Sequence, residues 1–208
     1  MRVLGIDPGL TRCGIGVVEV DDSRRAQLVH VSVIRTKPDL ALHFRLRDVA
    51  NRIEAALHEL KPDVVAIERV FTQDNLQSVT PTTQVMGVAM AEVGRKSLPL
   101  AVYTPSEVKA AVTGSGVASK AQVQHMVARV LRLKEAPRPA DAADALAIAI
   151  CHAWRGTGLL GSGQDGDIQV SLSGKVESKT ELTPAQKAWT QAAANQRRRG
   201  AVDPRRKK

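Results

Sequence analysis

The apolar residues of this chain change period near residue 41, and that change limits the folds open to it. Three stretches with strand character come first. Residues 2–7 form a short apolar run stopped by Pro8-Gly9. Residues 14–20 follow a tight turn, and Asp21-Asp22-Ser23 leads into a third strand at about 27–35. There Leu28, His30, Ser32 and Ile34 alternate with Val29, Val31 and Val33, so one face is expected to meet the core. After the change, Leu42, Leu46, Val49, Ile53, Leu57 and Leu60 recur at helical spacing, and Lys61-Pro62 stops the helix.

Strands and helices then alternate. Residues 63–67 read as a buried strand, 71–80 as a polar loop, 82–96 as a helix, and 100–103 as a short strand. A short helix at 107–112 ends at Gly114-Ser115-Gly116. Ser119-Lys120-Ala121-Gln122 has the form of a capping box opening another helix. Pro137 and Pro139 precede the last core helix, at about 141–154. Three antiparallel strands followed by alternating elements predict an α/β fold, a mixed five-stranded sheet flanked by helices. The first and fourth strands are expected to be central neighbours.

Phe44, Phe71, Tyr103, Trp154 and Trp189 are the chain's five aromatic residues, so the core must be built from Val, Leu, Ile, Ala and Met. From Gly156 the composition shifts to a Gly-rich linker and then to mostly polar sequence. This divides the 208 residues into a folded domain at 1–155 and a basic, largely disordered tail at 156–208, with room for a short helix at 183–196. The net charge is +9; the tail carries 10 Lys/Arg against 5 Asp/Glu. A basic balance of this kind favours a polyanionic partner. Cys13 and Cys151 have no second Cys nearby, and the sequence shows no signal peptide and no apolar run long enough to span a membrane. A cytoplasmic setting is expected.

Four acidic residues stand where a polar side chain needs a reason. Asp7 ends the first strand, Glu68 ends the VVAI strand, and Asp141 and Asp144 share one face of the last helix. Singly, each has an ordinary reading as a turn former, a strand end, an N-cap or a first-turn acid. Jointly, on neighbouring strand ends and a nearby helix, they would repel one another unless cations stood between them. Hard oxygen ligands suit Mg²⁺ or Mn²⁺, and a pair of such ions supports phosphodiester hydrolysis.

The blocks GIDPGLTRCG (5–14), AIERVF (66–71), TPSEVKAAVTGSG (104–116), SKAQVQHMV (119–127) and ADAADALAIAI (140–150) resemble the RuvC family, in order, across residues 1–155. The resemblance implies a ribonuclease-H-like fold and a homodimer. It implies a Holliday junction resolvase that cuts four-way DNA junctions by paired nicks using Mg²⁺, two ions per site. It assigns Asp7, Glu68, Asp141 and Asp144 as metal ligands and catalytic residues. It also places Phe71 as a stacking residue at the opened crossover, and Lys109 and Lys120 near the scissile phosphate. Arg69 is a candidate phosphate contact, and Thr11 and Arg12 could touch the DNA backbone. His125 receives no role. RuvA and RuvB are implied as partners.

Two other readings are weighed. A non-catalytic junction-binding scaffold would show damaged carboxylates, and all four are intact. G-I-D-P-G-L-T also resembles the phosphate loop of sugar kinases and actin-like ATPases. Those need a second, similar domain, and the sequence contains no second copy.

Overall fold

The computed structural model describes residues 1–69, 76–135 and 137–155, together with the backbone of 168–170 and 176–178; of residues 76–78 it describes the backbone alone. The chain divides into two units, Met1–Ser162 and Gly163–Lys208.

The first unit is built on one five-stranded sheet. Its strands are β1 (Arg2–Asp7), β2 (Arg12–Val20), β3 (Ala26–Arg35), β4 (Val64–Glu68) and β5 (Leu100–Tyr103), in the spatial order β3-β2-β1-β4-β5. β1 pairs antiparallel with β2 and parallel with β4, so the first and fourth strands are the central neighbours expected. The helices are α1 (Leu42–Leu60), α2 (Leu76–Arg95), α3 (Pro105–Thr113), α4 (Lys120–Val130) and α5 (Ala140–Arg155).

Strand alternation sorts the core into two layers. Leu4, Ile6, Ile15, Val17, Val65 and Ile67 point to the face covered by α1 and α2. Val3, Val18, Val64, Ala66, Ala101 and Tyr103 point to the face covered by α3, α4 and α5. Continuing the period of two, Asp7 follows Val3 and Gly5, and Glu68 follows Val64 and Ala66. Both carboxylates thus leave the sheet toward α5.

α5 is buried almost all round, as a helix rich in Ala, Leu and Ile must be. It lies unusually close to the sheet because the strands beneath it carry glycine. A β-carbon at Gly5 would stand 2.2 Å from the Ala145 carbonyl oxygen, and one at Gly16 would stand 2.6 Å from the Leu146 nitrogen. Gly14 is part of this patch, inside β2. Gly9 does close the turn, since a β-carbon there would meet the Arg12 carbonyl oxygen at 2.2 Å.

Three details depart from the sequence reading. α2 begins by Leu76, inside the expected loop, and runs through Pro81, a residue that normally ends a helix because its ring removes a donor. β3 does not present one simple face. The β2–β3 register shifts at Val17/Val18, where Val17 pairs with His30 and Val18 with Leu28, so Val29 is extra. Leu28 and Val31 therefore share the α5 layer, while Ile34 joins the opposite one. In the second unit, part of the stretch read as disordered carries an antiparallel pair, β6 (Ile168–Val170) with β7 (Val176–Ser178). In the sequence the triplets IQV and VES flank SLSGK, whose Ser and Gly are a hairpin signal that the polar composition masked. Phe71 and the helix expected at 183–196 lie outside the described residues.

Candidate metal centre and phosphate site

Asp7 and Glu68 are brought together by strand register. Ile6 pairs with Ile67 in the parallel ladder, so the next residue on each strand is a carboxylate on the same face. Asp141 and Asp144 sit in the first turns of α5. The glycine patch lays that end of the helix against β2, where the Asp141 carbonyl oxygen would be 2.1 Å from a β-carbon on Gly14. Gly14 is the ladder partner of Asp7. Backbone packing alone therefore fixes one pair of carboxylates beside the other.

The electrostatics follow from burial and crowding. Burial pushes the Asp7 carboxyl up to about 8, and Glu68, Asp144 and Asp141 add repulsion in that order. Glu68 is raised to about 7 by burial and by Asp144, with Lys120 and Lys109 opposing. Asp144 is raised by burial against the pull of Lys120. Three carboxyl groups held above their ordinary range at one point is the expected signature of acidic groups assembled without enough positive charge.

The lysines reach the site through two capped helices. β5 runs directly into Thr104, whose hydroxyl accepts from the Glu107 N–H at 3.2 Å, while the Glu107 carboxylate accepts from the Thr104 N–H at 2.8 Å. This box opens α3 and sets Lys109 in its second turn. The Ser119/Gln122 box expected from sequence is present, with the Gln122 N–H donating to the Ser119 hydroxyl at 3.3 Å and the Ser119 N–H donating to the Gln122 side chain at 2.8 Å. Lys120 is the first residue of α4, where the helix dipole disfavours a cation. Its ammonium pairs with Asp144 at 3.5 Å. Asp7, Glu68, Asp144, Lys109 and Lys120 line one cavity of about 210 Å³, walled by Pro105, Val108 and Val123.

Asp141 stands beside that cavity and not in its wall. Its carboxylate is held by the Arg12 guanidinium, Nε to Oδ2 at 3.2 Å. Among the described residues no three His, Cys, Asp or Glu side chains are placed to enclose an ion as they stand. The reason lies in the pairing: Asp141 and Asp144 are each turned to a basic side chain. The donor set still fits hard divalent cations, being made of carboxylate oxygens whose charge the protein leaves under-compensated.

Arg69 follows Glu68 but is exposed; its N–H donates to the Tyr103 carbonyl at 2.7 Å, and it is not among the cavity-lining residues. His125 lies on a separate groove with Thr113 and Val117. The Arg12–Asp141 pairing and the helix-to-sheet role of Gly5, Gly14 and Gly16 were missed from sequence. The signal for the second was there: G-I-G at 14–16 puts two glycines on one strand face, which marks a close backbone approach. The described residues hold a single five-stranded sheet, so nothing in them supplies the second domain a kinase-like reading needs.

Comparison with known proteins agrees with this geometry. Residues 3–152 match the family model described as crossover junction endodeoxyribonuclease RuvC. The chain is 56% identical over 206 residues to the crossover junction endodeoxyribonuclease RuvC of Leifsonia xyli subsp. xyli, covering 99% of this chain and 98% of that one. It is 50% identical over 199 residues to the protein of the same name from Paenarthrobacter aurescens, covering 96% of this chain and 98% of the relative. Among solved structures, T. thermophilus RuvC in complex with Holliday junction substrate aligns at a TM-score of 0.71 and 38% identity, covering 74% of this chain and 94% of that one. With the family match spanning the sheet and all four carboxylates, this chain belongs to the RuvC family of crossover junction endodeoxyribonucleases.

Proposed function

We propose that this chain resolves four-way (Holliday) DNA junctions by paired, symmetric nicks, through metal-dependent hydrolysis of one phosphodiester per subunit, in recombination and repair. One observation carries the reading: two strand-end carboxylates and two helix carboxylates gather at one sheet edge, and Lys109 and Lys120 line a cavity with three of them, Asp7, Glu68 and Asp144.

Asp7, Glu68, Asp141 and Asp144 would hold the ions, two Mg²⁺ per site with Mn²⁺ as substitute. When bound, such ions stabilise the attacking and leaving oxygens of an in-line displacement. The protein's own groups do the rest. Asp7 and Glu68, on adjacent central strands, form the rigid half of the ligand set, since the sheet cannot shift one without the other. Lys120 opposes the upward push that burial gives the Asp144 carboxyl, and its ammonium pairs with that carboxylate at 3.5 Å. Lys109 and Lys120 face the carboxylates across the cavity and would hold the scissile phosphate, offsetting charge that grows in the transition state. Val108 and Val123 narrow the space around that phosphate and limit water.

A homodimer suits the reaction, because a four-way junction offers two equivalent cut sites to a two-fold enzyme. RuvA and RuvB are the proposed partners, and the cytoplasm the proposed location; among the described residues no helix is long and apolar enough to cross a membrane. Residues 1–155 are proposed as the nuclease domain and 156–208 as a linker and basic tail. Phe71 is proposed to stack on a base at the crossover, and Arg69 to contact phosphate.

The test is cleavage of an end-labelled four-way junction beside linear duplex of the same sequence, with Mg²⁺ or EDTA, by the wild type and Asp7→Asn. Paired nicks in the junction alone, dependent on Mg²⁺ and absent in the variant, are expected. Tight junction binding with no nicks under any divalent metal would overturn the enzymatic reading in favour of a scaffold.

A further inference from the structure

Strand register brings one residue from each strand to a common edge of the sheet. Arg35 ends β3, Arg12 opens β2, Asp7 ends β1, Glu68 ends β4 and Tyr103 ends β5. By alternation all five lie on the α5 face. Across the edge from β3 to β4 the charges therefore read positive, positive, negative, negative.

The positive half of that row is only partly compensated. Arg12 and Arg35 are direct partners across the β2–β3 ladder, where like charges oppose each other unfavourably. Arg12 is compensated by Asp141. Arg35 forms no ion pair among the described residues, and neither does Arg138, in the segment leading into α5. Both are exposed. They line the same open groove of about 920 Å³ together with Gln124, with Glu135, its one acid among the described residues, and with Ala140, the residue before Asp141. The groove thus reaches the residue next to Asp141, and Gln124 puts one wall of it on α4, the helix that carries Lys120.

We propose that Arg35 and Arg138 form a second phosphate-binding track for the DNA strand being cut. This rests on the reading of the carboxylate site as a junction nuclease. Adjacent strands lie about 4.8 Å apart, which puts Arg35 roughly 10 Å from the strand of Asp7. Phosphates recur every ~3.4 Å of axis along a DNA strand, so the track engages the backbone within a few nucleotides of the scissile bond. Guanidinium forks suit phosphate oxygens, and two uncompensated forks flanking one groove give the strand a fixed path. The carboxylates then have two sets of positive supports, Lys109 and Lys120 in their own cavity and Arg35 and Arg138 in the groove that reaches Ala140.

The experiment is fluorescence anisotropy of labelled four-way junction and of linear duplex with the full chain, in EDTA, over a salt series. Wild type is compared with Arg35→Gln/Arg138→Gln and with Arg25→Gln/Lys61→Gln. The latter pair makes the same charge change at the opposite end of the sheet. The first double variant is expected to bind about tenfold more weakly, with the slope of log K against log salt shallower by about two. Thermal unfolding should match wild type for both variants. A slope and affinity equal to those of the control variant overturn the proposal. Wild-type binding that does not distinguish junction from duplex counts against the junction reading, while the slope comparison on either DNA still decides the arginine contacts.

Discussion

The carbonyl oxygen of Asp141 occupies the place a β-carbon on Gly14 would need, 2.1 Å from it. A candidate metal ligand is thus held in position by the absence of a side chain on the sheet. Gly14→Ala forces α5 outward or the strand aside, and backbone cannot yield as a flexible side chain can. Overpacking of this kind costs about 1–3 kcal/mol, which lowers Tm by roughly 2–12 °C in a chain of this size. Junction cleavage is expected to fall further than stability alone explains, because Asp141 and Asp144 move with the helix. Gly87→Ala in α2, where nothing lies within 4 Å, is expected to stabilise by up to about 1 kcal/mol. Thermal melts and single-turnover cleavage of the two variants check both signs.

Stability of the metal-free protein is expected to fall as pH rises. Asp7 moves from 3.8 to about 8 on folding, and Glu68 from 4.5 to about 7. Between those limits the folded state binds more protons than the unfolded one, so each step up in pH favours unfolding. In EDTA, Tm should drop from about pH 4 to pH 8. Asp7→Asn should flatten the curve and be the more stable protein at pH 8. A divalent metal should remove most of the drop for wild type. A Tm that rises steadily over this range would contradict the burial and repulsion assigned to these carboxyls.

Lys120 lowers the ionisation range of Glu68 and Asp144 from the first turn of α4. Lys120→Met is expected to reduce the cleavage rate by about 10²-fold while leaving junction affinity in EDTA within a few-fold. Its side chain is largely exposed, so the melting temperature should barely change. Rates measured at saturating enzyme separate the two effects. A loss confined to binding would move Lys120 from the chemistry to mere attachment.

Tyr103 and His152 share a buried hydrogen bond of 2.8 Å that ties the end of β5 to the last turns of α5. Tyr103→Phe leaves the imidazole unpartnered and should cost about 1–3 kcal/mol. Replacing both residues, as Tyr103→Phe/His152→Leu, should cost less than the sum of the single changes, because no buried polar atom is then orphaned. A double-mutant cycle by denaturant unfolding reads this directly.

The sequence determined most of the element types and pointed to the candidate site. The switch from alternating to helical spacing near residue 41 set the sheet-first topology. Asp7 and Glu68 were visible jointly: each alone has an ordinary use, but two carboxylates ending strands expected to be neighbours repel unless cations stand between them. The capping box at Ser119 located Lys120, since side chain and backbone satisfy each other within four residues. These signals are local, and local hydrogen bonding or periodicity suffices to express them. The β3 bulge, the start of α2 before Pro81, and the Arg12–Asp141 pair were illegible. Each depends on what another segment presents: a register across strands, a helix packed strongly enough to absorb a proline, an arginine brought some 130 residues along the chain to its partner. So too with the glycines. Their spacing is in the sequence, but only the folded chain shows that α5 fills the space they leave, because close packing is a property of two surfaces and neither sequence segment contains the other.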